Sequence, residues 1–320
     1  GESLKQALQD IIANPEIVHA HNYGDIVDIL KTADQNPANN NEVWLMYVEQ
    51  PRSKIDYQLG PSTIGVWNRE HIWPQSRGGF ADGTSSFADG INIWLPTNAD
   101  DILSGHADAH HIRAEDGQEN SSRSNRDYGT DYNGPTGSIG TWKGDVARSL
   151  FYMAVRFDGL NVVNGDPSEY LPSTSISSGN IGDLATLLTW NTTDARDDYE
   201  MNRNNYVYTW QMNRNPFIDY PSLVDYIFGA NFGQPWYSTL STQIPIDTRV
   251  AVYPNPATDY LIVSGLEGSS KIEIYTITGQ LVQSEDFQNE IRINLDLNTG
   301  MYLVKVINGT QTTTKKIIVK

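Results

Sequence analysis

Asn68-Arg69-Glu70-His71-Ile72-Trp73-Pro74-Gln75-Ser76 sets a carboxylate beside an imidazole, and Asp108-Ala109-His110-His111 answers it further along the chain. Neighbouring side chains on a regular strand point to opposite faces. Glu70 and His71 therefore suit two tasks, one holding a metal ion and the other handling a proton. A kink or bulge after Glu70 is expected to turn both into one pocket. Gly117-Gln118-Glu119-Asn120-Ser121-Ser122-Arg123-Ser124-Asn125 then offers amide oxygens suited to a hard cation and an arginine suited to phosphate. The combination points to metal-assisted cleavage of phosphodiesters.

Four segments stand in order between about residues 2 and 237. They are the Asn-Arg-Glu-His-x-Trp-Pro run at 68–74, the Asp-x-His-His run at 108–111 with its following Gly-x-x-Asn-x-x-Arg-Ser-Asn, the helix-like stretch from Gly144 to Arg156, and Asn213-Arg214-Asn215-Pro216-Phe217-Ile218-Asp219. Together they resemble the bacterial endonuclease I family, secreted nucleases built around a ββα-metal (His-Me finger) site. The resemblance implies an α+β fold, with a ββα-metal nuclease core inside a mixed, helix-rich domain. It places the metal ligands at Glu70 and Asn120, with Asn125 as the rival amide. Mg²⁺ is the expected ion, with Mn²⁺ or Ca²⁺ as substitutes. A neutral imidazole titrates near neutrality, so His71 is the expected general base. The expected substrate is DNA, with RNA as a further one, cut at low sequence specificity to leave 5′-phosphate and 3′-hydroxyl ends.

The family uses an arginine against the phosphate's developing charge, and in some members it lies in a cysteine-bearing insertion that this chain lacks. Arg77, Arg123 and Arg214 are the candidates, Arg77 and Arg123 as catalytic residues and Arg214, with Arg69, as substrate contacts. An ion pair between Arg214 and Asp219 is the competing reading. Asp108, His110 and Asn125 are expected to brace the metal-holding residues from behind. Trp73 is expected in the core, His106 in a loop, and His19 and His21 at the periphery. A rival enzyme reading takes His106-Ala107-Asp108-Ala109-His110-His111 as a zinc hydrolase site, which usually needs three or four converging ligands. Another rival is a non-catalytic surface adhesin on a nuclease-like scaffold.

At 320 residues and 38% hydrophobic content the chain has room for two domains with a substantial core. No run reaches the ~20 apolar residues of a membrane span, so a soluble monomer is expected. Starting at Gly1 without a signal peptide, the chain reads as a mature product or a fragment. With no cysteine, disulfides, thiolate metal sites and a cysteine nucleophile are all excluded. Charge argues against tight nucleic-acid binding. Up to residue 240 there are 31 acidic against 15 basic side chains, a net of −16, and the remaining 80 residues carry 8 against 7. Affinity for a polyanion comes mainly from phosphate contacts, so clustering of Arg69, Arg77, Arg113, Arg123 and Arg126 near the motifs is what could offset the field.

Helices are expected where Leu4, Ala7, Leu8, Ile11 and Ile12, and again Ile26, Val27, Leu30 and Ala33, recur at helical spacing. A further helix starts near Asp145 with Val146, Leu150, Phe151, Ala154 and Val155 as its core stripe. Two more are expected at about Asp183–Trp190 and Asp194–Gln211. Glu42 to Val48 reads as a buried strand, and residues 77–92 and 115–141 as long loops. The nuclease domain is expected to span 1–238, with a linker at 239–247 and a second domain at 248–320. There, alternating runs at Leu261–Val263, Ile272–Ile277, Ile291–Leu295, Tyr302–Val306 and Lys316–Val319 indicate a small all-β, immunoglobulin-like sandwich. Val252-Tyr253-Pro254-Asn255-Pro256-Ala257, Thr278-Gly279-Gln280 and Gly300-Met301-Tyr302-Leu303-Val304-Lys305-Val306 resemble the C-terminal sorting domain of type IX secretion cargo. That implies a partner in the secretion machinery and a secreted or cell-surface protein of a Bacteroidetes-type bacterium, usually with this domain removed. An ordinary accessory or sugar-binding module is the alternative.

Overall fold

The computed structural model describes residues 1–93, 95–168, 179–237, 250–276, 279–309 and 311–320. Its first compact unit covers Gly1–Trp236 and its second Tyr237–Lys320. The linker expected at 239–247 lies outside the described residues, as do Ile277 and Thr278.

In the first unit, helix α1 (Glu2–Ile12) buries Ile12 and half-buries Leu4 and Leu8, while Ile11 stays 67% exposed. Helix α2 (Asp25–Ala33) buries Ile26, Ile29, Leu30 and Ala33. The strand expected over Glu42–Val48 is shorter. Strand β1 (Glu42–Leu45) alternates half-buried and buried residues, then the chain reverses and returns as β2 (Gln50–Ser53), with Leu45 opposite Gln50. Glu49 takes the left-handed conformation that this reversal needs, at φ 52°.

Strand β3 (Trp67–His71) pairs antiparallel with β4 (Ile112–Asp116), setting Glu70 opposite Arg113 and His71 opposite Ile112. Helix α3 (Gly117–Arg123) follows β4 directly and packs on both strands. It lies inside the expected 115–141 loop, so that assignment is corrected. Its sequence has no apolar stripe. It starts because the Asp116 carboxylate accepts from the Gln118 and Glu119 amides, satisfying donors that a helix N-terminus leaves free.

Helix α4 (Lys143–Arg156) was expected to present one apolar stripe, yet its whole length from Val146 to Arg156 is buried, Arg148, Ser149 and Arg156 included. A helix enclosed on all sides belongs at the centre of a core. Arg148 is tolerated there because Nε donates to Glu200 Oε1 at 2.8 Å. Helices α5 (Leu184–Thr193) and α6 (Asp198–Gln211) start after capping residues Asp183 and Asp197. One apolar cluster surrounds α4 and holds Trp73, fully buried as expected. Another joins α2 and α6 to Trp67, Ile112 and Ala114 of the β3–β4 pair. No helix among the described residues is long and apolar enough to cross a membrane.

The second unit carries β5 (Ala251–Tyr253), β6 (Tyr260–Ser264), β7 (Ser269–Thr276), β8 (Leu281–Gln288), β9 (Ile291–Asn294), β10 (Gly300–Asn308) and β11 (Gln311–Val319). They form two antiparallel sheets, ordered β9-β6-β5 and β8-β7-β10-β11, which share one apolar cluster. Strands β5 and β8 were not read from the sequence. Strand β8 is an edge strand with Phe287 as its one buried residue, so it shows little alternation.

Candidate active site

The C-terminal end of β3 opens into a cavity of about 400 Å³ lined by Tyr23, Arg69, Glu70, His71, Gln75, Asn120 and Asn125, with further residues of the 74–81 and 120–125 segments. The expected bulge after Glu70 is absent, since the β3–β4 register runs unbroken from Trp67 to His71. Glu70 and His71 nonetheless share the cavity because β3 stops at His71, at its edge.

Glu70 is buried, with Tyr47 donating to Oε1 at 2.8 Å and Arg123 at 3.2 Å. Both contacts fall on one oxygen, and Oε2 accepts no hydrogen bond among the described residues. Burial lifts the Glu70 pKa to about 7 against the opposing pull of Arg123 and Tyr47. Asn120 and Arg123 are three positions apart on α3, so they share a helix face. Asn120 Nδ2 donates to Asn68 Oδ1 at 2.8 Å and to the Arg69 carbonyl at 3.3 Å. That fixes the amide and leaves Oδ1 as the atom a cation would take. Glu70 Oε2 and Asn120 Oδ1 are both hard oxygen donors of the kind a divalent cation takes.

His71 Nε2 lies 3.0 Å from the His106 carbonyl, which can only accept, so Nε2 carries the proton. Nδ1 is then the basic nitrogen, and the Gln75 side-chain amide donates to it at 3.0 Å. Burial, with His111 beside it, pushes the His71 pKa well below the usual imidazole range, so the ring is neutral at pH 7. Tyr23 packs over this arrangement, its ring 5.2 Å from His71 and 4.3 Å from His106.

Of the arginines singled out, Arg69 alone lines the cavity among the described residues. Its guanidinium sits 3.4 Å over the Tyr23 ring and donates to the Tyr23 carbonyl. The phosphate roles expected for the other three are corrected. Arg77 is fully buried, paired with Asp127 at 3.0 Å and donating to the carbonyls of Asn125, Asn180 and Pro167. Arg123 is also fully buried; besides Glu70 it donates to the His71 and Ile72 carbonyls, so it orients the strand end from behind. Arg214 is held by Asp219 at 2.6 and 2.7 Å and lies away from the cavity, which is the competing reading.

Comparison with known proteins identifies the family. The endonuclease I family model matches residues 1–140 and 131–222. Extracellular ribonuclease of Bacillus subtilis (strain 168) is 38% identical over 243 residues, 71% of this chain and 75% of its own. Extracellular ribonuclease of Bacillus amyloliquefaciens is 36% identical over 243 residues, 71% of this chain and 74% of its own. The chain belongs to the endonuclease I family. Residues 251–320 match the secretion system C-terminal sorting domain. This endonuclease I family protein is therefore a secreted or cell-surface nucleic-acid hydrolase with a type IX sorting domain. Among solved structures, PorZ, a surface component of the type IX secretion system of Porphyromonas gingivalis, is 22% identical over 25% of this chain and 12% of its own, at a TM-score of 0.23.

Sequence reading missed much of what surrounds this cavity. Tyr47, Gln75 and Tyr23 gave no signal because they come from outside the motif or from a position read only as its tail. His106, expected in a loop, is buried in a 3-10 turn, and its carbonyl fixes the His71 tautomer. His110 is not the brace expected behind the metal residues. Its Nε2 faces Asn213 at 3.1 Å, and His111 is the one beside His71, with ring centroids 5.3 Å apart. Asp108 accepts from Tyr152 and Gln211 and holds the turn that carries both histidines, while Asn125 lines the cavity. The zinc reading is corrected too, because its imidazoles diverge: His106 Nδ1 meets Thr84, His110 Nε2 meets Asn213 and His111 Nε2 meets the Gly105 carbonyl. Among the described residues, Asp127, Asp131 and Asp166 bring carboxylate oxygens within 4.8 Å of one another, in a cavity separate from Glu70.

Proposed function

We propose that this chain is a secreted Mg²⁺-dependent endonuclease of low sequence specificity that hydrolyses phosphodiester bonds in DNA and RNA, leaving 5′-phosphate and 3′-hydroxyl ends. The observation that carries the reading is the tautomer of His71. With Nε2–H committed to the His106 carbonyl, the basic Nδ1 shares one cavity with Glu70 and Asn120. A general base must be neutral and within reach of the proton it takes, and a low-pKa imidazole meets the first condition at pH 7. Nδ1 takes the proton of the attacking water, and Gln75 yields it that position. Glu70 and Asn120 would hold the cation, which when bound would supply charge stabilisation to the phosphoryl and leaving oxygens. Arg69 contacts the phosphate at the rim.

Strands β3 and β4 with helix α3 then constitute a ββα-metal core. RNA stands beside DNA as a substrate because two relatives bear the name extracellular ribonuclease. The second unit, read as an immunoglobulin-like sandwich, addresses the enzyme to type IX machinery in a Bacteroidetes-type bacterium. The test is digestion of plasmid DNA and of RNA with Mg²⁺, with and without chelator. Both should be cut, chelator should stop cleavage, and the ends should be religated by a ligase that requires 5′-phosphate and 3′-hydroxyl. Cleavage that persists in chelator or returns with zinc alone would overturn the metal assignment. An inert protein would favour the adhesin.

A further inference from the structure

A second cavity, of about 370 Å³, plays no part in the hydrolysis just described. That size lies in the ~300–1,000 Å³ range of small-molecule sites. Trp44 of β1, Met46, Trp142 and Tyr199 of α6 wall it, and Arg113, Asp145 and Asp197 supply its charge. Arg113 sits directly opposite Glu70 on the β3–β4 pair, and paired Cα atoms lie ~5 Å apart. Tyr47 connects the two cavities: its hydroxyl donates to Glu70, and its ring meets Trp142 edge-on at 5.0 Å.

We propose that this cavity takes an unstacked nucleobase of the substrate strand, held against the Trp44 indole and read by Tyr199 and Asp197. Aromatic walls favour a flat ring, because any base can stack on them. The Tyr199 hydroxyl is buried with no hydrogen-bond partner among the described residues, and such a group is costly to leave unmet; a base edge would satisfy it. Charge excludes phosphate as the occupant. Arg113 is already neutralised by Asp34 at 3.2 Å and Asp145 at 2.9 Å, and Asp197 adds an exposed carboxylate at the rim. Asp197 commits Oδ1 to the Glu200 amide, so Oδ2 can accept from a ring N–H or an exocyclic amine. A neutral ring with both donors and acceptors satisfies the set, and a base is the part of a nucleic acid that offers it.

The proposal rests on the reading of the chain as a nuclease, and two arms with the full-length protein keep the two apart. In the first, neutral nucleosides are added in chelator, where the catalytic cavity has neither cation nor phosphate to hold. Saturation-transfer NMR should show base protons in contact with the protein more strongly than ribose protons. Trp44→Ala should abolish the signal, Tyr199→Phe should weaken it, and His71→Ala should leave it intact. No signal from wild type, a signal that survives Trp44→Ala, or an equal signal from free sugars would overturn the proposal. In the second arm, a single abasic residue is moved along an oligonucleotide substrate. At one position the wild-type kcat/KM should fall by about 5- to 150-fold, the factor that one stacked base represents. Trp44→Ala should show that same fall on the intact strand and no further fall with the abasic residue at that position. A loss independent of where the abasic residue sits would overturn the base pocket. Nucleoside binding in a protein that cleaves nothing would instead sink the nuclease reading alone.

Discussion

The two units of this chain handle charge in opposite ways. In the first, Glu70, Arg77, Arg113, Glu115, Arg123, Arg148, Arg156, Glu200 and Arg203 are each 3% exposed or less, and most are tied into ion pairs or to backbone carbonyls. In the second, the buried residues among those described are apolar except Ser270 and Thr313, and pairs such as Lys271 with Glu273 stand at the surface. Apolar alternation gives a fold in which no single atom is decisive. A buried polar network gives a site in which single atoms matter, because removing one partner strands the other charge. Function should therefore be brittle in the first unit and nearly indifferent to the second.

The sharpest way to break that contrast is at His71. A general base contributes roughly 10²- to 10⁴-fold, so His71→Ala should lower kcat at least about a hundredfold on a DNA oligonucleotide. Affinity for Mg²⁺ should stay near that of the wild type. A variant that cleaves at close to the normal rate would remove His71 from the mechanism.

The same contrast explains what the sequence disclosed. Glu70, His71 and Asn120 were legible because their spacing matches a family pattern, and the structure gathers all three round one cavity. The arginines were not legible, because a motif shows that Arg77 and Arg123 are present but not that both point inward to carbonyls and carboxylates. Tyr47 and the His106 carbonyl were hidden because tertiary folding alone brings them to Glu70 and His71. Helix α3 escaped notice since an Asp116 cap, rather than an apolar stripe, starts it. In the second unit, period-two alternation revealed the strands with a buried face and missed the solvent-facing edge strand β8.

Glu70 and Asn120 should give the next largest effect. Glu70→Gln and Asn120→Ala should weaken Mg²⁺ binding, so that raised Mg²⁺ recovers part of the lost rate; unchanged affinity in a metal titration would discard this ligand pair. The sign of the pH dependence follows from burial. A carboxyl whose folded pKa stands at about 7, above its unfolded value, favours the metal-free fold when protonated. That contribution is lost as pH rises from the unfolded value through 7. Metal binds the deprotonated form, so Mg²⁺ affinity should rise between pH 6 and pH 8. Thermal melts should accordingly show a larger Mg²⁺-induced increase in Tm at pH 8 than at pH 6. Glu70→Gln should remove that difference, and a pH-independent increase in the wild type would contradict the assignment.

Removing the second unit should do much less. A chain ending at Tyr237 keeps the whole of the first unit's core and the cavity at the end of β3. It should fold and cleave within about fivefold of the full-length rate, since ordinary kinetic differences of that size correspond to ~1 kcal/mol. A folded truncation that loses more would give the second unit a part in substrate binding and weaken the contrast drawn above.

The smallest expected effect is that of salt, and it tests whether buried charge leaves anything for the substrate. Salt weakens each arginine–phosphate contact through counterion competition. It also screens repulsion between the substrate and a first unit of net charge −16 up to residue 240, because the Debye length falls to ~8 Å near 0.15 M. In a basic nuclease the first effect dominates and activity declines steadily. Here Arg77, Arg113 and Arg123 are consumed by internal partners, and Arg126 donates to the carbonyls of Ser122 and Asp131. Arg69 is then the remaining cation of the group at the cavity. The clustering that could have offset the acidic field is thus spent inside the fold. With Mg²⁺ held constant, kcat/KM on one DNA substrate should stay flat or rise as NaCl increases from low to moderate concentration, through a falling KM. A steep decline from the lowest salt would mean that phosphate contacts outweigh the field, and the basic groove would then have to lie outside the arginines of this motif region.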